Sequence, residues 1–261
     1  MGWVGIKDQE KTDIAQKVAD TYLSAYGRPD VRVRTRVENT TMLSGLIAHG
    51  MPAATSLPNQ SEWRDEFGSR IIFFENINRA FMEKQIPILR KVYDGASEYT
   101  DDEINQVAHK LVVAHEAFHP VTRYDNDQER LGSQYTYVNE LLPDLLARKV
   151  SADLVGSLIS QKELKIALPL IVSKALTRLA DGAKLDDPYM EGWATALNYM
   201  IENQAATIED GKLKLGTDDK LAESFANLTN IFEEIAKHGQ ESEVLEIKQK
   251  YADTSMFAKF N

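Results

Sequence analysis

Apolar and polar positions along the chain recur mostly at helical spacing. Residues 8–26 read as a helix, with Ile14, Val18, Tyr22 and Tyr26 on one side and Gly27 as its stop. The next segment switches period. In VRVRTRVE (31–38), Val31, Val33, Thr35 and Val37 alternate with Arg32, Arg34 and Arg36, the pattern of a half-exposed strand. Residues 50–68, with Gly50, Pro52, Pro58 and Asn59, read as loop, and RIIFF (70–74) as a second strand. A helix over about 76–93 is expected to be interrupted near Pro87.

Thr100 and Glu103 form a T-x-x-E capping box that starts a helix running to His119, which Pro120 ends. Polar residues 121–135 read as loop. Further helices fit 138–159, 162–180, 188–205, 218–237 and 241–252, with Asp187 and Pro188 as N-cap and first helical residue. Asp210-Gly211 between two short alternating runs predicts a hairpin. No internal repeat or low-complexity linker breaks the pattern. The expectation is one α+β domain over residues 1–261, mostly helical, with a strand-containing lobe (1–120) and a helical lobe (121–261).

Composition narrows the chemistry. The chain has 261 residues and no cysteine, and its 40 acidic against 30 basic residues give a formal charge of −10. That length can bury a substantial core. The acidic balance argues against nucleic acid or an anionic membrane as partner. Without cysteine there are no disulfides, zinc ribbons, iron–sulfur clusters or thiol nucleophiles, so a bound metal must rest on histidines and carboxylates. The opening MGWVGIKDQEKTD lacks the basic and apolar regions of a secretory signal, and no run is long enough to span a membrane. A cytoplasmic location is therefore expected.

One short segment carries chemistry: His115-Glu116-Ala117-Phe118-His119. On a helix, positions i and i+4 share a face, so two imidazoles can grip one ion from adjacent turns. Glu116 is rotated about 100° from His115, poorly placed as a ligand but able to act as general base on a metal-bound water. With five histidines and 21 glutamates in the chain, chance supplies only about 0.008 such patterns. A catalytic zinc needs a third protein ligand, and YVNELLPDLLA offers Asn139, Glu140 and Asp144. Glu140 lies 21 positions beyond His119, and Asp144 one turn further, where a carboxylate can hold the ring N–H of His115. Pro143 requires either that this helix begin close to Glu140 or that it kink there.

HEAFH followed by NELLPD resembles the HExxH…NExxxD signature of the thermolysin-like zinc peptidases, the gluzincins. The resemblance implies His115, His119 and Glu140 as ligands of one zinc ion, Glu116 as base, and Asp144, with Asn139, behind the ligands. FGSRIIFFENINRAFMEKQIPIL and EGWATALNYMIENQAATIEDGKLKL extend a wider resemblance, over about 66–252, to the catalytic region of the dipeptidyl-peptidase III family. The chain departs from that family in having a five-residue zinc motif, and Glu191 stands where the family places a transition-state-stabilising histidine. The family is also usually longer.

The implied fold is a small antiparallel sheet packed on the active-site helix, followed by a helical lobe. The implied activity is zinc-dependent cleavage of a peptide or small protein. Tyr135, Tyr137, Tyr189 and Arg123 are candidates to stabilise the oxyanion, with Tyr137 first because it adjoins the ligand segment. Strand 31–38 could be an edge that pairs with an extended peptide, its arginines suiting acidic substrates. His49, His109 and His238 read as surface, core or helix-capping residues, and Trp3, Trp63 and Trp193 as packing residues. Two other readings stay open: a zinc-binding module without turnover, and a metal-free helical interaction protein.

Overall fold

A computed structural model describes residues 2–44, 54–57, 63 and 66–260. The chain is mostly helical, with a four-stranded sheet near its start. Strands β1 (Gly2–Lys7), β2 (Val33–Ser44), β3 (Ala54–Leu57) and β4 (Ser69–Phe74) lie in the order β1-β2-β4-β3.

The sheet is mixed. β1–β2 and β3–β4 are antiparallel, as expected of the small sheet, but the central β2–β4 pair is parallel. The connection from Ser44 to Ser69 is long enough for the crossover that a parallel pair needs. The arginine-bearing strand runs on to Ser44; Val33–Glu38 pairs with β4 and Glu38–Ser44 with β1, so the arginine-bearing stretch has a strand on one side only. The expected loop residues Gly50, Pro52, Pro58 and Asn59, and His49, lie outside the described residues, while Ala54–Leu57 forms β3, an edge of the sheet.

Helix α1 (Gln9–Ala25) packs on β2 and buries Val18, Tyr22 and Leu23, with Tyr22 turned to Phe118 and Ser151. β1 pairs only with Glu38–Ser44 of β2. For Val33–Val37, side chains of α1 take over the missing ladder bonds. Thr35 N donates to Gln16 Oε1 at 2.8 Å, Val37 N donates to Thr12 Oγ1 at 3.0 Å, and Gln16 Nε2 donates to Val33 O at 2.9 Å. Buried backbone groups left unpaired would each cost about 1–3 kcal/mol.

Helix α2 (Glu75–Val92) runs unbroken through Pro87, contrary to the expected interruption. Pro87 and Glu83, whose carbonyl loses its partner, are both on the exposed face, where water can replace the bond. The buried Gln85 of α2 ties this helix to the next layer, donating to Leu170 O at 3.0 Å and Ser173 Oγ at 2.8 Å.

Helix α3 (Asp101–Phe118) carries the metal-binding motif. Its capping box is formed as the sequence predicts, with Glu103 N donating to Thr100 Oγ1 and Thr100 N to Glu103 Oε2. Phe118 is fully buried between Tyr22 and Tyr26, with edge-on ring contacts at 6.2 and 5.4 Å. Burying such a side chain contributes about 1.5–3 kcal/mol.

The segment expected as polar loop 121–135 contains a short helix, α4 (Asp127–Leu131), and 3-10 turns. Helix α5 (Tyr135–Asp153) begins five residues before Glu140 and continues through the buried Pro143. The expected helix 162–180 is divided at Ile166 into α6 (Gln161–Lys165) and α7 (Ala167–Ala180). Then follow α8 (Pro188–Glu202), the predicted hairpin β5 (Ala206–Glu209) and β6 (Lys212–Leu215), α9 (Asp218–His238) and α10 (Glu241–Tyr251). One continuous apolar cluster runs from α1 to Phe260. No helix among the described residues is long and apolar enough to cross a membrane.

Candidate metal centre

Helices α3 and α5 pack together and bring their polar residues face to face. His115 and His119 project from successive turns, and Glu140 reaches them from α5. One ligand atom from each lies within 4.8 Å of the others. His115 Nε2 and His119 Nε2 are 3.1 Å apart, and Glu140 Oε2 is 3.4 Å from the first and 3.8 Å from the second. Nitrogen ligands at about 2.0–2.1 Å from a tetrahedral zinc ion lie about 3.3 Å from one another, so the spacing fits.

The donor set is two imidazoles and one carboxylate, a zinc-type combination. Among the described residues this is the only such cluster of three.

Asp144, one turn beyond Glu140, lies half-buried behind His115. Its Oδ1 lies 2.9 Å from His115 Nδ1, its Oδ2 accepts from Trp193 Nε1 at 3.1 Å, and Arg148 Nη1 is 3.5 Å away. With Nδ1 committed to Asp144, Nε2 of His115 points toward Glu140 and His119, where loss of its proton would free a lone pair for a metal. Burial alone would raise the Asp144 pKa, but the charge of Arg148 and the His115 bond hold it well below the usual carboxylate range.

The other groups titrate abnormally. Burial opposes charge on His115, yet its bond to Asp144 and the nearby Glu140 and Glu116 carry its pKa up to about 10. Burial, reinforced by the His115 charge, pushes His119 down to about 3. Burial pushes Glu116 up to about 7, with Glu140 adding to the rise and His115 opposing it. An acid held near neutrality beside a metal site can both take and return a proton.

These residues open onto a cavity of about 960 Å³, walled by α2, α3 and α7, by Ala54–Ser56 of the edge strand β3, and by Tyr189. The expected oxyanion groups separate here. Tyr137 is buried away from the cavity; its hydroxyl is 2.7 Å from Thr195 Oγ1 and its ring packs on Phe232. Tyr189 and Arg123 line the cavity, and burial followed by the nearby Glu140 charge raises the Tyr189 pKa. Glu191 turns to Lys248, 2.7 Å away, and does not line the cavity. Arg32, Arg34 and Arg36 do not line it either. Asn139 Oδ1 is buried with no hydrogen-bond partner among the described residues.

Sequence reasoning missed two features. Trp193, expected only to pack, also donates to Asp144, and an indole N–H within a turn of the motif helices carries no sequence signal of its own. Lys174 and Arg178 of α7 line the cavity as well, and their spacing of four on one helix was the only available clue.

No family model and no curated protein sequence matches this chain. Solved structures do. DPP III from Caldithrix abyssi superposes with a TM-score of 0.81 at 17% identity, over 98% of this chain and 53% of that one. Dipeptidyl-peptidase III from Corallococcus sp. strain EGB gives a TM-score of 0.79 at 19% identity, over 98% of this chain and 52% of that one. The fold is thus that of a dipeptidyl-peptidase III-like protein, as the wider sequence resemblance implied. The chain spans about half the length of either structure.

Proposed function

We propose that the protein is a zinc-dependent peptidase of the gluzincin type. The observation that carries the reading is the convergence of His115, His119 and Glu140 beside the buried Glu116. His115, His119 and Glu140 are the ligands of a single zinc ion, and Asp144 fixes the orientation and tautomer of His115. When bound, zinc supplies Lewis-acid polarisation of a carbonyl and acidification of a water.

Glu116 removes a proton from the attacking water and returns it to the leaving amine. Tyr189 takes the oxyanion role first assigned to Tyr137, since it lines the same cavity as Glu140. An extended peptide lies along the free edge of β3, whose Ala54–Ser56 wall the cavity. Residues 1–261 act as one unit, because the apolar cluster joins both proposed lobes. The substrate is a peptide or small protein.

The test is Glu116→Gln. Turnover of a peptide library should fall about 10²–10⁴-fold with zinc still bound. Wild-type rates in this variant would remove Glu116 as the base. If wild type holds zinc but cleaves nothing, the reading as a zinc-binding module without turnover replaces this one.

A further inference from the structure

The wall of the cavity facing the metal centre is cationic. Lys174 and Arg178 stand one turn apart on α7 and both line the cavity. Aromatic faces of α8 hold them. Lys174 Nζ lies 5.0 Å from the centre of the Trp193 ring, and the Arg178 guanidinium 5.0 Å from that of Tyr189 and 5.7 Å from that of Trp193. A cation–π contact places a charge without neutralising it.

Neither cation has a carboxylate within ion-pair distance among the described residues, although acids are close by. Asp144 is engaged by His115, Trp193 and Arg148. Asp181 is bound by Lys84 at 2.8 Å. Glu140 faces the two histidines. Lys174 is only partly exposed; burial lowers its pKa, and the charges of Asp144 and Glu140 oppose that drop without cancelling it, so they compensate the ammonium only in part. A buried or half-buried charge without a partner is costly unless a ligand completes it.

We infer that Lys174 and Arg178 form the subsite for a carboxylate of the bound peptide. The inference rests on the peptidase reading for the ligand's class. The two cations sit along one helix face, so a carboxylate placed between them receives hydrogen bonds from an ammonium and a guanidinium. The aromatic pair behind them fixes their heads and lowers the ordering cost of binding. The carboxylate is either the peptide's C-terminus or an Asp or Glu side chain.

The experiment is calorimetric binding to the Glu116→Gln protein, with zinc and without it. Three probes suffice: tetra-alanine with a free C-terminal carboxylate, its C-terminal amide, and Ala-Ala-Glu-Ala amide. The free acid, or Ala-Ala-Glu-Ala amide, should bind at least tenfold more tightly than the tetra-alanine amide. That preference should shrink to within twofold in a Lys174→Met/Arg178→Gln variant whose affinity for the amide is unchanged. Methionine keeps the apolar stem on Trp193, and both replacements are good helix formers. Tight binding of Ala-Ala-Glu-Ala amide would identify a side chain as the source, and weak binding the C-terminus. Equal binding of all three probes, a preference that survives the double substitution, or no binding of any of them would overturn the subsite. A free-acid preference in protein that takes up no zinc would keep the subsite and remove the metal reading. One zinc per chain with equal binding would do the reverse.

Discussion

Replacing Asp144 by Asn tests whether the carboxylate behind His115 tunes the metal site. The wild-type carboxylate faces three donors: His115 Nδ1 at 2.9 Å, Trp193 Nε1 at 3.1 Å and Arg148 Nη1 at 3.5 Å. An amide has one acceptor and one donor in the same outline. If its oxygen stays on His115, its NH₂ meets the Trp193 N–H. If it flips, the NH₂ meets His115 and disfavours the tautomer that leaves Nε2 free.

Either way, one charge-assisted bond is lost and one donor faces a donor. The local negative charge that offsets Arg148 and Lys174 is also lost. Loss of such an outer partner lowers metal affinity about 10–100-fold, which is about 1.4–2.7 kcal/mol. Competition titration with a chromophoric chelator at fixed pH measures the zinc Kd of both proteins. Trp193→Phe, which removes one donor and leaves the charge, should lose less than tenfold. An Asp144→Asn protein that is folded and binds zinc within twofold of wild type would refute the reasoning.

Two further predictions follow from the same geometry. In metal-free protein His115 is protonated at neutral pH, because its folded pKa is raised to about 10. Zinc must displace that proton, so binding at pH 7–8 should release about one proton, and apparent affinity should climb about tenfold per pH unit until about pH 10. Calorimetry in buffers of different ionisation enthalpy counts the protons, and a pH-independent affinity would contradict the raised pKa. Tyr189→Phe should lower kcat about 10²–10³-fold with little change in KM, as loss of an oxyanion donor does. Steady-state kinetics decide it, and a change confined to KM would make Tyr189 a binding residue only.

Much of this site could be read in the sequence because its parts are local. The i,i+4 histidines, the Thr100 capping box and the Glu140–Asp144 spacing each depend on one helix, and the helix period fixes them. What was illegible depends on packing between elements. Whether Tyr137 or Tyr189 borders the cavity depends on how α5 and α8 rotate against α3, and adjacency in sequence favoured the tyrosine that is buried away from it. The arginine-bearing strand alternates like an edge strand. Its open side is not available, because Thr12 and Gln16 of α1 take those backbone groups while β4 pairs in parallel on the other side, contacts set by other elements. Pro87 suggested a break, but a proline on an exposed helix face can leave its freed carbonyl to water. The pairing of Glu191 with Lys248 likewise joins α8 to α10 across a separation that no spacing rule reports.

The measurement that bears most directly on the central claim is metal content by mass spectrometry, on protein purified without chelator or affinity-tag metal. Wild type should carry one zinc per chain, and Glu140→Ala should lose it or hold it much more weakly. No metal in either protein, and none taken up when zinc is added, would contradict the three-ligand centre and make HEAFH a chance pattern on a helix.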